Sequence, residues 1–161
     1  MKKVFVIVGI IVIVVAWYLF RPEKLFITQN VSESFPTDTS SETRNSPTIL
    51  SQGMFHGVAH ETKGTATIYR LPDGQQVLRL TGFETSNGPD VRVYLGQAED
   101  ANDNDTVTSA GYIELGPLKG NVGDQNYDIP ADTDLEIYHS ITIWCKRFGV
   151  NFGTAPLMVK N

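Results

Sequence analysis

The chain has 161 residues, one cysteine and a formal net charge of −5, which leaves room for one domain with a real core once an anchor and a linker are set aside. Without Lys2 and Lys3, 11 basic residues stand against 18 acidic ones. That balance argues against nucleic acid or an anionic membrane surface as the ligand, since both reward clustered Lys and Arg.

Val4 to Phe20 is an unbroken apolar run of 17 residues, with Lys2 and Lys3 before it and Arg21 and Lys24 after it. Roughly 17 to 25 apolar residues span a bilayer, so the run reads as a membrane helix contacting lipid. It ends in Ala16, Trp17, Tyr18, Leu19 and Phe20, without a small-x-small cleavage site, and the two aromatics suit an interfacial belt. The more basic side stays in the cytoplasm. The expectation is a single-pass protein of the cell membrane, N-terminus cytoplasmic and C-terminal part extracytoplasmic. Residues 1–24 make the anchor with its flanks, and residues 25–52 a polar, disordered linker. From Thr28 to about Ser51 that linker is rich in Ser, Thr, Asn, Glu and Pro, too polar to offset its ordering entropy.

Residues 53–161 read as an all-β domain, an antiparallel β-sandwich or barrel, because short alternating runs are separated by turn residues and no long helical period appears. Met54–His60 is the first expected strand. Gly64–Leu71 and Gln76–Thr81 form a hairpin about Pro72, Asp73 and Gly74, with Ala66, Ile68, Leu78 and Leu80 facing inward. A turn at Asn87, Gly88 and Pro89 precedes a strand from Asp90 to Gly96. The acidic loop Glu99–Asp105 lacks the spacing of a calcium loop and reads as a solvated hairpin tip. Short strands at Gly111–Leu115 and Gln125–Pro130 follow, then one helical turn within Asp132–Ser140.

The densest run, Ile141–Gly153, holds the cysteine. Alternation places Ile141, Ile143 and Cys145 on one face and Thr142, Trp144 and Lys146 on the other. Cys145 therefore faces a core, and a bulge or bend near Lys146 and Arg147 is expected before Phe148, Val150 and Phe152 resume the pattern. A single cysteine excludes an intramolecular disulfide, and an unpaired thiol in an oxidising compartment must be shielded, liganded, paired between chains or chemically used. Arg147 on the nominal Cys145 face would favour a thiolate, and Trp144 or Phe148 would shield the sulfur.

Other donors are sparse. His56, His60, His139 and Cys145 are the candidate soft or borderline metal ligands. His56 and His60 share a strand face but lie about 13 Å apart along an extended chain. No catalytic constellation emerges, since nothing places a histidine beside Cys145 and the P-loop, dinucleotide and HExxH patterns are absent.

The segments GTA at Gly64, GPD at Gly88 before VRVYLG, GPLKGNVGDQNYDIP from Gly116 to Pro130, and IWCKRFGVNFGTAPL from Ile143 to Leu157 together resemble the DM-thirteen domain family. The resemblance covers Gly53 to Leu157. It implies an electron-transfer domain acting through its cysteine, either as a bare thiol or as the holder of a prosthetic group such as haem, with a redox partner protein outside the cytoplasm. Cys145 carries over as the proposed redox or prosthetic-group residue, with His60, Trp144, Arg147 and Phe148 in support. The bound group and any metal stay unknown, and no stand-alone catalytic activity is expected. The alternative is a noncatalytic cell-surface binding or adhesion module with a structural cysteine.

Overall fold

A computed structural model describes residues 2–20, 27–36 and 46–160. The elements in chain order are α1 (Lys2–Phe20), β1 (Asn30–Ser32), β2 (Thr48–Met54), β3 (His56–Gly57), β4 (Lys63–Arg70), β5 (Gln76–Glu84), β6 (Val91–Gly96), α2 (Asn104–Ala110), β7 (Tyr112–Pro117), β8 (Val122–Ile129), a 3-10 turn (Leu135–Ile137), β9 (Ser140–Cys145), β10 (Val150–Pro156) and β11 (Met158–Val159).

The period-2 alternation of these strands sorts their side chains between two sheets. One sheet has the order β1-β8-β5-β4-β2-β11, the other β3-β10-β9-β6-β7. Ala66, Ile68, Leu78, Leu80, Tyr127 and Ile129 from the first meet Val93, Leu95, Ile141, Ile143, Cys145 and Phe152 from the second in one buried cluster. All ladders are antiparallel except β1 with β8, which is parallel. The expected sandwich and its β4–β5 hairpin are therefore present. Ala66, Leu78 and Leu80 are 0 % exposed, so the hairpin supplies the centre of the core.

β9 is buried on both faces. Its outward Trp144 packs with Tyr94, Ala101 and Val107 in a second cluster beneath α2. The acidic loop Glu99–Asp105 is exposed as expected, apart from buried Ala101, but it leads into a short helix instead of forming a bare hairpin tip. Asp103 caps α2, its Oδ1 accepting the Thr106 N–H at 2.7 Å, and the short helix then turns Val107 onto the sheet. Asn151, 0 % exposed, ties this cover down: its Nδ2 donates to the Ala101 carbonyl at 2.8 Å and its N–H to Asn104 Oδ1 at 2.8 Å.

Three further expectations change. The first strand of the domain is β2, ending at Met54, and β3 is a separate two-residue strand paired with β10. The bulge or bend expected near Lys146 and Arg147 is a full reversal, so the run Ile141–Gly153 is a hairpin and the pattern does not resume on the same strand. Lys146–Gly149 forms its turn, closed by the Gly149 N–H on the Cys145 carbonyl at 2.8 Å, and the register irregularity falls between Asn151 and Gly153. Finally, the stretch expected to be a disordered linker contains β1 and most of β2. Low apolar content does not prevent an edge strand from pairing through its backbone groups. Residues 25–26 and 37–45 of that stretch lie outside the described residues, as do Arg21 and Lys24.

Among the described residues no helix is long and apolar enough to cross a membrane. Within α1 the consecutive described side chains run only from Phe5 to Val15, all exposed. The membrane helix expected over Val4–Phe20 thus has no structural support from the described residues.

Candidate functional site

Cys145 ends β9 at the pole of the sandwich where β6 and β8 begin and β5 and β7 end. It is 0 % exposed and lies opposite Val91 of β6 and Val150 of β10. The same pole carries a cleft of about 410 Å³ whose walls include Ile27, Gln29, Asn87, Asp90, Val91 and Asn121. Val91 belongs both to the cleft wall and to the core cluster that holds Cys145.

The turn sequence Asn87-Gly88-Pro89-Asp90 is built for this place. A Cβ on Gly88 would stand 2.7 Å from Val91 Cγ2 and 3.0 Å from Phe152 Cζ, so only glycine lets the turn lie this close to the core. The Asp90 carbonyl accepts the Lys146 N–H at 2.8 Å, joining the turn to the one after Cys145. Its carboxylate takes the Arg92 Nε–H at 2.6 Å, Arg92 reaches Glu114 at 3.0 Å, and Lys146 reaches the other Glu114 oxygen at 2.9 Å. A chain of alternating charges therefore runs from the cleft rim over the outer face of the sheet.

The opposite wall comes from Pro117 to Asn121, shaped by two buried polar side chains. Gln125, 0 % exposed, accepts the Lys119 N–H at 3.1 Å and the Tyr127 hydroxyl at 2.7 Å, and donates to the Gly120 carbonyl at 2.9 Å. Burial pushes the Tyr127 phenol well above its ordinary pKa, so it stays a neutral donor. Asn121 donates to the Thr85 carbonyl at 3.1 Å and accepts the Gln29 N–H at 2.7 Å. Sequence reasoning noted the GPLKGNVGDQNYDIP segment without singling out Asn121, Gln125 or Tyr127. The signal was there for Gln125 and Tyr127, spaced by two along a strand that must turn one face inward.

The sequence-derived candidates separate around this pole. Trp144 is 5 % exposed but on the face of β9 opposite Cys145, its ring 6.2 Å from that of Tyr94. Burial raises the Tyr94 phenol above its ordinary pKa, aided by Tyr112 stacked at 4.2 Å. Arg147 and Phe148 lie in the exposed turn after Cys145, Phe148 being 64 % exposed. Neither shares the strand face of the sulfur, because the chain reverses where continued alternation had placed them, so the expected Arg147 and Phe148 roles do not follow from this geometry. Half-buried His60 sets its ring against Phe152, centroids 4.0 Å apart and planes tilted by 49°, and Phe152 belongs to the core cluster of Cys145.

The donor set does not fit a metal or haem as it stands. Among the described residues no group of three or more His, Cys, Asp and Glu side chains converges. His56 is engaged with Asp100 at 2.7 Å, His60 lies against Phe152, and the Cys145 sulfur is sealed in an apolar core. A ligand sulfur must present surface to the group that it holds.

Residues 54–157 match the model of a family described as Electron transfer DM13. No curated protein and no solved structure matches the chain.

Proposed function

The chain belongs to the electron transfer DM13 family, and on that premise we propose that it is a membrane-anchored, extracytoplasmic electron-transfer domain whose redox group is the Cys145 thiol, approached through the cleft beside Val91. The observation that carries this reading is the meeting, at one pole, of Cys145 with the cleft built from Asn87–Val91 and Pro117–Asn121. Anchoring draws on the apolar run Val4–Phe20 and on the exposed side chains from Phe5 to Val15, and orientation draws on Lys2 and Lys3.

The chemistry open to a lone thiol is exchange with a disulfide of a partner protein. Cys145 gives up its proton, and Sγ bonds to one sulfur of the partner disulfide as that S–S bond breaks. The departing thiolate takes up a proton, leaving a mixed disulfide. One partner sulfur is reduced and Cys145 is oxidised, so the step balances. It requires Sγ to be uncovered, and the segment we propose moves to do so is the Asn87–Asp90 turn, which packs against Val91 and Phe152 of the core cluster that holds Cys145.

The test is reaction of the native full chain with a small aromatic disulfide reagent. Slow labelling that Cys145→Ser abolishes, with the near-UV circular dichroism unchanged, is the expected result. If Cys145 reacts only once denaturant unfolds the domain, the thiol reading fails. A noncatalytic surface binding module with a structural cysteine then takes its place, a reading favoured by the 0 % exposure of Cys145.

A further inference from the structure

The segment Ile27–Phe35 lies outside the family match, yet it is fastened to the domain along its length. The Ile27 carbonyl accepts from Asn87 Nδ2 at 2.8 Å, the Gln29 N–H donates to Asn121 Oδ1 at 2.7 Å, and Glu33 binds Lys119 at 2.8 Å and the Asn126 N–H at 2.7 Å. Phe35 meets Tyr69 edge-on at 4.8 Å. Gly120 and Gly123 form the seat, since a Cβ on either would collide with Gln29 or Val31.

The direction of this strap matters. β1 runs parallel to β8, pairing Asn30 with Val122 and Ser32 with Asp124. Its N-terminal side therefore lies at the pole where β8 begins, and Ile27 and Gln29 are themselves walls of the cleft. Phe20, the end of α1, precedes Ile27 by seven residues. Whatever path those residues take, they reach at most about 25 Å. An antiparallel β1 would have put the anchor at the far pole.

We infer that the strap fixes the domain with its cleft pole, which carries Cys145 and the Lys146–Gly149 turn, facing the lipid surface. This rests on the proposed membrane anchoring of α1. The pole suits such a neighbour: Phe148 is 64 % exposed beside the exposed Arg147, an aromatic and a cation of the kind that settles at headgroup level. With acidic residues in excess over the whole chain, the contact is apolar and local rather than a general attraction to anionic lipid. A partner using the cleft must then approach along the membrane.

The full chain in phosphatidylcholine vesicles doped with headgroup-nitroxide lipid tests the inference. A fluorophore is placed at Phe148→Cys or at Gln75→Cys, the latter in the turn at the far pole, each in a Cys145→Ala background with its near-UV circular dichroism checked. Quenching at position 148 should exceed that at position 75 by several-fold. The double change Val31→Pro with Glu33→Ala, confined to the strap, should erase the difference. Equal quenching at the two positions in vesicle-bound chain, or a difference that survives the strap changes, overturns the role of the strap. A chain that does not float with the vesicles also overturns the inference, and identifies the anchor as the failing premise.

Discussion

Cys145 lies opposite Val91 across the β9–β6 ladder, and Val91 at the same time walls the cleft. On the proposed reading, access to the thiol depends on the turn that precedes Val91, where Gly88 fits against Val91 and Phe152. Gly88→Val should overpack this contact and destabilise the domain by about 1–3 kcal/mol, read as a lower urea midpoint. In molecules that stay folded, the displaced turn should speed labelling of Cys145. An unchanged midpoint would mean that the turn has slack, and the close approach would then not explain the glycine.

Cys145→Ala deletes one buried atom from a core whose other members are unaltered. The expected loss is about 1–2 kcal/mol, with cooperative unfolding retained in urea. A larger loss, or non-cooperative unfolding, would favour the structural role of the cysteine.

Asn121 joins strap and domain, and its two polar atoms are separable. Asn121→Ala removes the partners of the Gln29 N–H and the Thr85 carbonyl, a loss of about 1–3 kcal/mol where a buried group is left unpaired. Asn121→Asp keeps an acceptor for Gln29. Amide hydrogen exchange at Gln29 should accelerate strongly in the first variant and less in the second. Equal acceleration in both would count against the assigned bond.

Glu33 makes the strap pH-sensitive. Partial burial pushes its carboxyl up, but the Lys119 ammonium and the Asn126 N–H outweigh this and hold it below the ordinary value of 4.5. A depressed folded-state pKa contributes stability that is fully present above the unfolded value and lost as pH falls through the folded one. The strap should therefore stay seated at neutral pH and loosen in the acid range below 4.5. Hydrogen exchange or proteolysis within Ile27–Phe35 would report it, and Glu33→Gln should remove that acid step.

Domain boundaries can be tested by truncation. A fragment starting at Ser46 retains β2, whose residues from Thr48 onward pair with β4. A fragment starting at Gly53 loses most of that ladder and the seat of β11 on Ser51 and Gln52. The first should unfold cooperatively, and the second at a clearly lower midpoint. Matching midpoints would restore the boundary read from composition.

Alternation by itself determined the antiparallel all-β class, with sandwich and barrel both open, the β4–β5 hairpin and the inward face of Ile141, Ile143 and Cys145, because a period of two assigns each side chain to a sheet face before any partner is known. The tertiary structure alone decided the rest. Phe148 and Arg147 left the expected strand because a four-residue turn reverses the chain after Cys145. Trp144 became buried because α2, more than thirty residues earlier, covers its face. The strap was hidden in a polar stretch because edge pairing uses backbone donors and acceptors that every sequence carries. Its side-chain partners, Asn87, Asn121 and Lys119, lie 60, 92 and 86 residues away along the chain. Residues that far apart are brought to one pole only by the complete topology of the two sheets.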